Sequence, residues 1–346
     1  MEKWKKKNRR RRVFLLALAL LFTAALFTTS TYAWFTANKS VKVDSISVNI
    51  AAQNGIQISA DGTNWKSIVQ VNDLAGAKTG QYSGAVNQLP TTMQPVSTIG
   101  EIDATTKKLK MFYGQIINDA TTGAQKLKAD AQTDADGATG NYVAFDLFFK
   151  VDSAEDLFLT GSSGVRVAEN AEDTGIRNAS RIAFLNLGNT ASSSALNVIQ
   201  NIGNNEGDTP TTYIWEPNND SHKDSAIGHA RDNYGVTITA GDGQNPVSYS
   251  GLKAAITQEN AVPVIVSTPQ LYSTRDADYF ANVDPIYKTQ TAFSNTASNK
   301  LQIFSLQQGI TKVRVYMWIE GQDVDCENNA SGGSISFDLS FTTVAE

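Results

Sequence analysis

The sequence predicts an all-β protein built as a two-sheet sandwich, and three features carry that expectation. Apolar and polar residues alternate with a period of two in several segments, turn-forming residues separate those segments, and helical periodicity is scarce. The strongest alternation lies near the C-terminus. Val313, Val315, Met317 and Ile319 alternate with Arg314, Tyr316, Trp318 and Glu320, which describes a strand with two distinct faces. Ile335, Phe337, Leu339 and Phe341 alternate with Ser336, Asp338, Ser340 and Thr342 in the same way. A polar stretch, 321–333, joins the two, and both are expected in one antiparallel sheet.

Further upstream, Val41 and Val43 share one phase while Ile46, Val48 and Ile50 share the other. A slip of one residue predicts a β-bulge near Asp44 and Ser45. Ile56 and Ile58 run into Ala60-Asp61-Gly62, a hairpin signal, with Trp65 beyond it. Other strands are expected over 110–117, 141–151, 165–167, 181–185, 212–215, 236–239 and 262–266, and short helices over 194–202 and 252–258. Segment 118–140 is almost wholly polar, small or charged and reads as an excursion. Segment 186–300 mixes short strands with Asn, Ser, Gly and Thr clusters, and reads as an insertion within one elaborated sandwich domain, 34–346.

Charge is segregated along the 346 residues. The first twelve hold eight of the 29 Lys+Arg and one of the 34 Asp+Glu, so the rest carries 21 basic against 33 acidic side chains, a net −12. That balance argues against nucleic acid as a partner. After the basic start comes an apolar run, 13–27, broken only by Thr23, and then the small residues of 28–33. This is the order of an export signal, with cleavage after Ala33 and a new N-terminus at Trp34. The alternative is a retained anchor, because 13–33 is 21 residues without charge and spans about 30 Å at about 1.5 Å per residue. Either reading places the bulk of the chain outside the cytoplasm and puts the segment in the membrane transiently or permanently. The single cysteine, Cys326, allows no intramolecular disulfide and is expected to be buried and inert.

Catalytic signals are weak. The two histidines, His222 and His229, stand seven apart, whereas a zinc-protease helix needs a one-turn spacing with a Glu between. With Asp224 they could in principle bind a metal, but their plain reading is solvated loop residues. Gln132, Asp134, Asp136 and Gly137 resemble a fragment of a calcium loop, but Val143 stands where the bidentate Glu belongs, so an EF-hand is excluded. Asp323, Asp325 and Glu327 form a second acidic loop whose three carboxylates could gather a cation, though its plain reading is a solvated turn between strands. No nucleophile elbow, P-loop or dinucleotide fingerprint is suitably placed. Trp65 and Trp215 read as core or rim packing. No metal, cofactor or catalytic residue is assigned, and a non-enzymatic role is expected.

The N-terminal run TSTYAWFTANKSVKVDSISVNI, the tail VRVYMWIEGQDVDCENNASGGSISFDLSF and the RNASRIAFL of 177–185 together resemble the TasA/camelysin-type exported proteins of Gram-positive bacteria. The resemblance covers about 1–59 and the last forty residues and is thin between. It implies an antiparallel, jelly-roll-like sandwich, cleavage by a dedicated signal peptidase, and a place on the cell surface or in biofilm-matrix fibres. It also implies that 34–50 pairs as a strand with an adjacent subunit, inserting Val41, Val43, Ile46, Val48 and Ile50. Self-association by β-augmentation follows, since unpaired backbone groups at a sheet edge supply affinity. A monomeric anchored adhesin or carbohydrate-binding module is the alternative, and a secreted hydrolase the third reading. The metallopeptidase label of some relatives has no matching motif in this chain.

Overall fold

The computed structural model describes residues 40–50, 55–204, 209–218, 222–234, 237, 249–264, 266–268, 270–283, 301–327 and 330–343. The leader, the cleavage position at Ala33 and Trp34, and most of the strand expected over 236–239 lie outside the described residues. The chain divides into 1–31 and 32–346, and every described residue belongs to the second unit. No helix among the described residues is long and apolar enough to cross a membrane.

The protein is mostly β, as the alternation predicts. One seven-stranded sheet runs β18 (Leu301–Leu306), β11 (Glu155–Leu159), β20 (Ser334–Thr343), β1 (Val41–Ile50) and β3 (Ile68–Gln70). There β12 (Gly164–Val167) also pairs with β20, and β5 (Thr92–Met93) with β1. A second sheet runs β14 (Thr211–Trp215), β13 (Ser180–Thr190), β19 (Gly309–Ile319), β10 (Val143–Val151), β4 (Asn87–Gln88) and β9 (Asp136–Gly137), with β2 (Gln57–Ser59) also on β10. The inner faces of these two sheets close one hydrophobic core. Phe341 on β20 meets Phe149 on β10 and Phe184 on β13 edge-on, with ring centroids 5.2 and 6.0 Å apart.

A third layer covers the outer face of the second sheet. It comprises β16 (Val262–Pro263), β8 (Gln125–Gln132), β7 (Met111–Asn118) and β6 (Val96–Ser97), beside the pair β15 (Tyr249–Leu252) and β17 (Phe280–Val283). Val96, Met111, Tyr249 and Val283 from this layer pack on Ala183, Leu185, Tyr316 and Trp318. The layer has a small core of its own, in which Leu127, Leu252, Ile256 and Phe280 meet Ala226 and Ala230. Among the described residues four α-helices accompany the sheets: α1 (Val71–Thr79), α2 (Leu196–Gln200), α3 (Asp224–Tyr234) and α4 (Tyr272–Arg275).

Several expectations stand. The bulge near Asp44 and Ser45 is a register shift between Val43 and Ser45 in the β1–β20 ladder. Ile58 and Lys66 exchange backbone hydrogen bonds across the predicted hairpin, with Gly62 at φ +78 in its turn. Cys326 is buried and forms no disulfide.

Others are corrected. The last two long strands do not share a sheet: 321–333 carries the chain from β19 in the second sheet to β20 in the first. The sandwich is mixed rather than antiparallel, because β1 runs parallel to β20 and β4 parallel to β9. All eleven residues of β19 are buried, so neither face is solvated. On its polar phase Tyr316 and Trp318 are covered by the third layer, Lys312 by Tyr82 and the Gln200 carbonyl, and Arg314 faces Asp146 directly across the ladder. Segment 118–140 contains β8, whose buried Leu127 and Ala129 alternate with Lys126, Lys128 and Asp130. Small and charged residues had hidden that period. No helix spans 252–258; Ile256 instead bridges to Ala129. Helix α1 is amphipathic only through Leu74 and Ala77, a signal too faint to read, and Asp73 accepts the Gln70 N–H at 3.0 Å at its start.

Candidate functional site

The described residues bring an unusual set of ionisable groups together at one end of β19, where the second sheet meets the third layer. Arg181 comes from β13, Glu216 follows β14, and Glu320 follows β19. Asp323 and Asp325 lie on the 321–333 link, and His222 stands just ahead of α3. All six are buried. The link is pinned from both sides: Gly321 N–H donates to the Val96 carbonyl at 2.9 Å, and Val324 sits in the core of the third layer. That anchoring explains why this acidic loop is not the solvated turn its composition suggests.

The contacts form two linked halves. Arg181 Nη2 lies 2.6 Å from Asp323 Oδ2 and 2.7 Å from Glu216 Oε1, the latter as an ion pair not aligned as a hydrogen bond. Its guanidinium also stacks over Tyr249, 5.2 Å from the ring centre. His222 Nδ1 is 2.6 Å from Asp325 Oδ2, and Asp325 Oδ1 accepts the Lys223 N–H at 3.0 Å. Asp325 N–H donates to Asp323 Oδ1 at 2.8 Å, which joins the halves. Glu320 accepts from Trp318 Nε1 at 3.0 Å and from the Gln322 N–H at 3.1 Å.

Charge in this cluster does not balance. Four carboxylates face two cations when all six groups are ionised, and burial makes an unmatched charge costly. The protonation equilibria respond accordingly. Burial pushes Glu216 up to about 7 against the Arg181 charge, and burial likewise lifts Glu320 to about 7. Burial alone depresses the His222 imidazole, but the Asp325 hydrogen bond and the neighbouring carboxylates raise it to about 9. Asp325 is raised by burial. A buried excess of negative charge of this kind takes up either protons or a cation.

The histidines are thus not a loop pair. His222 is buried against Asp325, while His229 belongs to α3 with its side chain outside the described residues, and Asp224 is exposed. The calcium-loop fragment comes apart. Asp134 accepts hydrogen bonds from Tyr142 and Tyr316 at 2.8 and 3.0 Å, and Asp136 is an exposed strand residue. Trp215 is buried, as its place after an apolar run implies, and Trp65 packs at the rim under Lys150. Asp323 and Asp325 do gather, but with His222 rather than as a free acidic turn.

Sequence reasoning missed Arg181, Glu216 and Glu320. Each is a charged residue set into or directly after an apolar strand, in SRIAFL, YIWE and YMWIE, and that interruption was the available signal.

The second candidate site is β1 itself. Val41, Val43, Ile46, Val48 and Ile50 are all buried in the chain's own core. β1 pairs with β20 along one edge and with β3 and β5 along the other. Its place in the described chain is therefore internal to its own sheet. A shallow groove of about 470 Å³, floored by Leu109, Met111 and Phe112 and rimmed by Lys108, Lys110 and Lys253, lies on the third layer.

Against known proteins the chain stands apart: no protein-family model, no curated protein and no solved structure matches it.

Proposed function

We propose that this chain is an exported, non-enzymatic structural protein of a Gram-positive-type cell surface, whose copies join into fibres or a matrix layer by exchanging β1. The reading takes the leader as a signal helix cleaved after Ala33, and the sandwich as a jelly-roll-like relative of the TasA/camelysin type. One observation carries it. β1 is the first described strand and its long ladder is with β20, the last, so that the same contacts form whether β1 comes from its own chain or from a neighbour. Five buried apolar side chains on β1, at about 1.5–3 kcal/mol each, make an unfilled position between β20 and β3 strongly unfavourable. A neighbour's β1 satisfies that position in the same register, and repetition from copy to copy gives an open chain of subunits.

Two linked experiments test this. Deleting 34–50 while keeping the leader is expected to abolish high-mass species in sedimentation and negative-stain images. A synthetic peptide of 40–50, added in excess to the intact mature chain, is expected to cap growth and shorten the assemblies. High-mass species that survive both treatments refute strand exchange, and an intact mature chain that forms none favours a monomeric adhesin.

A further inference from the structure

Around His222, Asp323 and Asp325 the structure shows more than a cluster of acids. One ligand atom from each lies within 4.8 Å of the other two, and all three residues are buried. The His222 side chain is 1% exposed, and its Nε2 has no hydrogen-bond partner. Both Glu216 oxygens, fully buried beside them, also lack an aligned hydrogen bond. Buried polar atoms in native proteins are overwhelmingly satisfied, so orphaned atoms gathered at one place point to a ligand. Their chemistry narrows it: one imidazole nitrogen and carboxylate oxygens attract a divalent cation, and the four carboxylates outnumber Arg181.

We propose that His222, Asp323 and Asp325 form a buried structural site for a zinc-class divalent ion, with Glu216 beside it as a third carboxylate. Mixed nitrogen and oxygen donors suit zinc, whereas calcium takes six to eight oxygens. At bond lengths of about 2.0–2.2 Å, tetrahedral ligand atoms stand about 3.4 Å apart, so the observed spread closes by side-chain adjustment within about 1.5 Å. Metal binding replaces the present 2.6 Å contact between His222 Nδ1 and Asp325 Oδ2 with bonds from both atoms to the ion, while the Lys223 N–H keeps hold of Asp325 Oδ1, the kind of outer support that fixes ligand orientation. Burial of all three ligands leaves no approach for a substrate, so the ion serves structure. It ties the 321–333 link to the segment entering α3, joining the sandwich to the third layer at the point where the charge is unmatched.

The test uses the mature chain, 34–346, stripped with chelator, exposed to zinc chloride alone, desalted, and analysed for bound metal and melting temperature. One equivalent retained with a raised melting temperature is the expected result. His222→Gln combined with Asp323→Asn is expected to lower affinity by at least about tenfold, and His229→Gln to leave it unchanged. Cobalt loading of the unmutated chain is expected to give weak visible bands of nitrogen and oxygen coordination, displaced by zinc, which keeps the test independent of whether variants fold. Failure of the unmutated chain to retain zinc overturns the assignment. So does full retention by the double variant, loss in His229→Gln, or a thiolate charge-transfer band implicating Cys326.

Discussion

Asp146 gives the sharpest test of how the core tolerates charge. On β10 it lies across the ladder from Arg314, whose Nε donates to Oδ1 at 2.7 Å. Lys312 Nζ stands 3.6 Å away and the Tyr82 hydroxyl donates to Oδ2 at 2.8 Å. Burial by itself raises the carboxyl, but the Arg314 and Lys312 charges and the hydrogen bonds overcome it and hold Asp146 well below the usual carboxylate range. Asp146→Asn therefore leaves two buried cations with no counter-charge. Breaking a buried pair from one side costs about 3–5 kcal/mol, a large fraction of the roughly 5–15 kcal/mol that holds a domain together. At about 2–4 °C per kcal/mol, melting falls by about 10 °C. Differential scanning calorimetry of the two proteins at pH 7 measures it. Because the folded pKa is depressed, the stabilisation is fully present above the unfolded value of about 3.9 and declines as pH falls below it. The gap between the proteins should accordingly narrow below about pH 4. A variant within about 1 kcal/mol of the parent at pH 7 refutes the argument that this carboxylate compensates both cations.

Asp61, in the turn after β2, accepts hydrogen bonds from the Thr63 and Asn64 backbone N–H groups, both at 2.8 Å, which outweigh burial and lower it to about 2. Asp61→Ala is expected to cost about 1–2 kcal/mol at pH 7, after allowance for solvent screening, in urea titrations. Its penalty should be complete above about pH 4 and fade as pH falls toward 2; a pH-independent penalty contradicts the assignment. Gly309 opens β19 at φ +119, where an added Cβ meets the Thr190 carbonyl oxygen, so Gly309→Ala should cost more than about 3 kcal/mol. Gly123→Ala, also at positive φ but in open space, should cost only about 1–2 kcal/mol, and equal penalties at the two sites contradict this reading.

The strands were legible where a period of two survived in bulky side chains, as in β19, β20, β10 and both phases of β1. They were not legible where the pattern was written in alanine and lysine, as in β8. Burial on both faces of β19 could not be read, because it depends on a third layer drawn from two stretches distant in sequence, 96–132 and 249–283, and on Tyr82 and Gln200, all brought over the sheet by long-range contacts. The buried ionic cluster was half visible: the acidic loop and His222 were noticed, but as separate solvated features. Their meeting depends on Val96 and Val324 pinning the loop, contacts far apart in sequence that no local pattern announces.

The most direct test of strand exchange locks β1 in place. Ser47 on β1 is the cross-strand partner of Gln70 on β3, on the outer side of the sheet, so Ser47→Cys with Gln70→Cys places two thiols for a disulfide that leaves buried Cys326 untouched. Sedimentation velocity of the oxidised mature chain, before and after reduction, is the measurement. The account predicts monomers while the bond is intact and assembly once it is cut; fibres growing equally well from the locked chain contradict it.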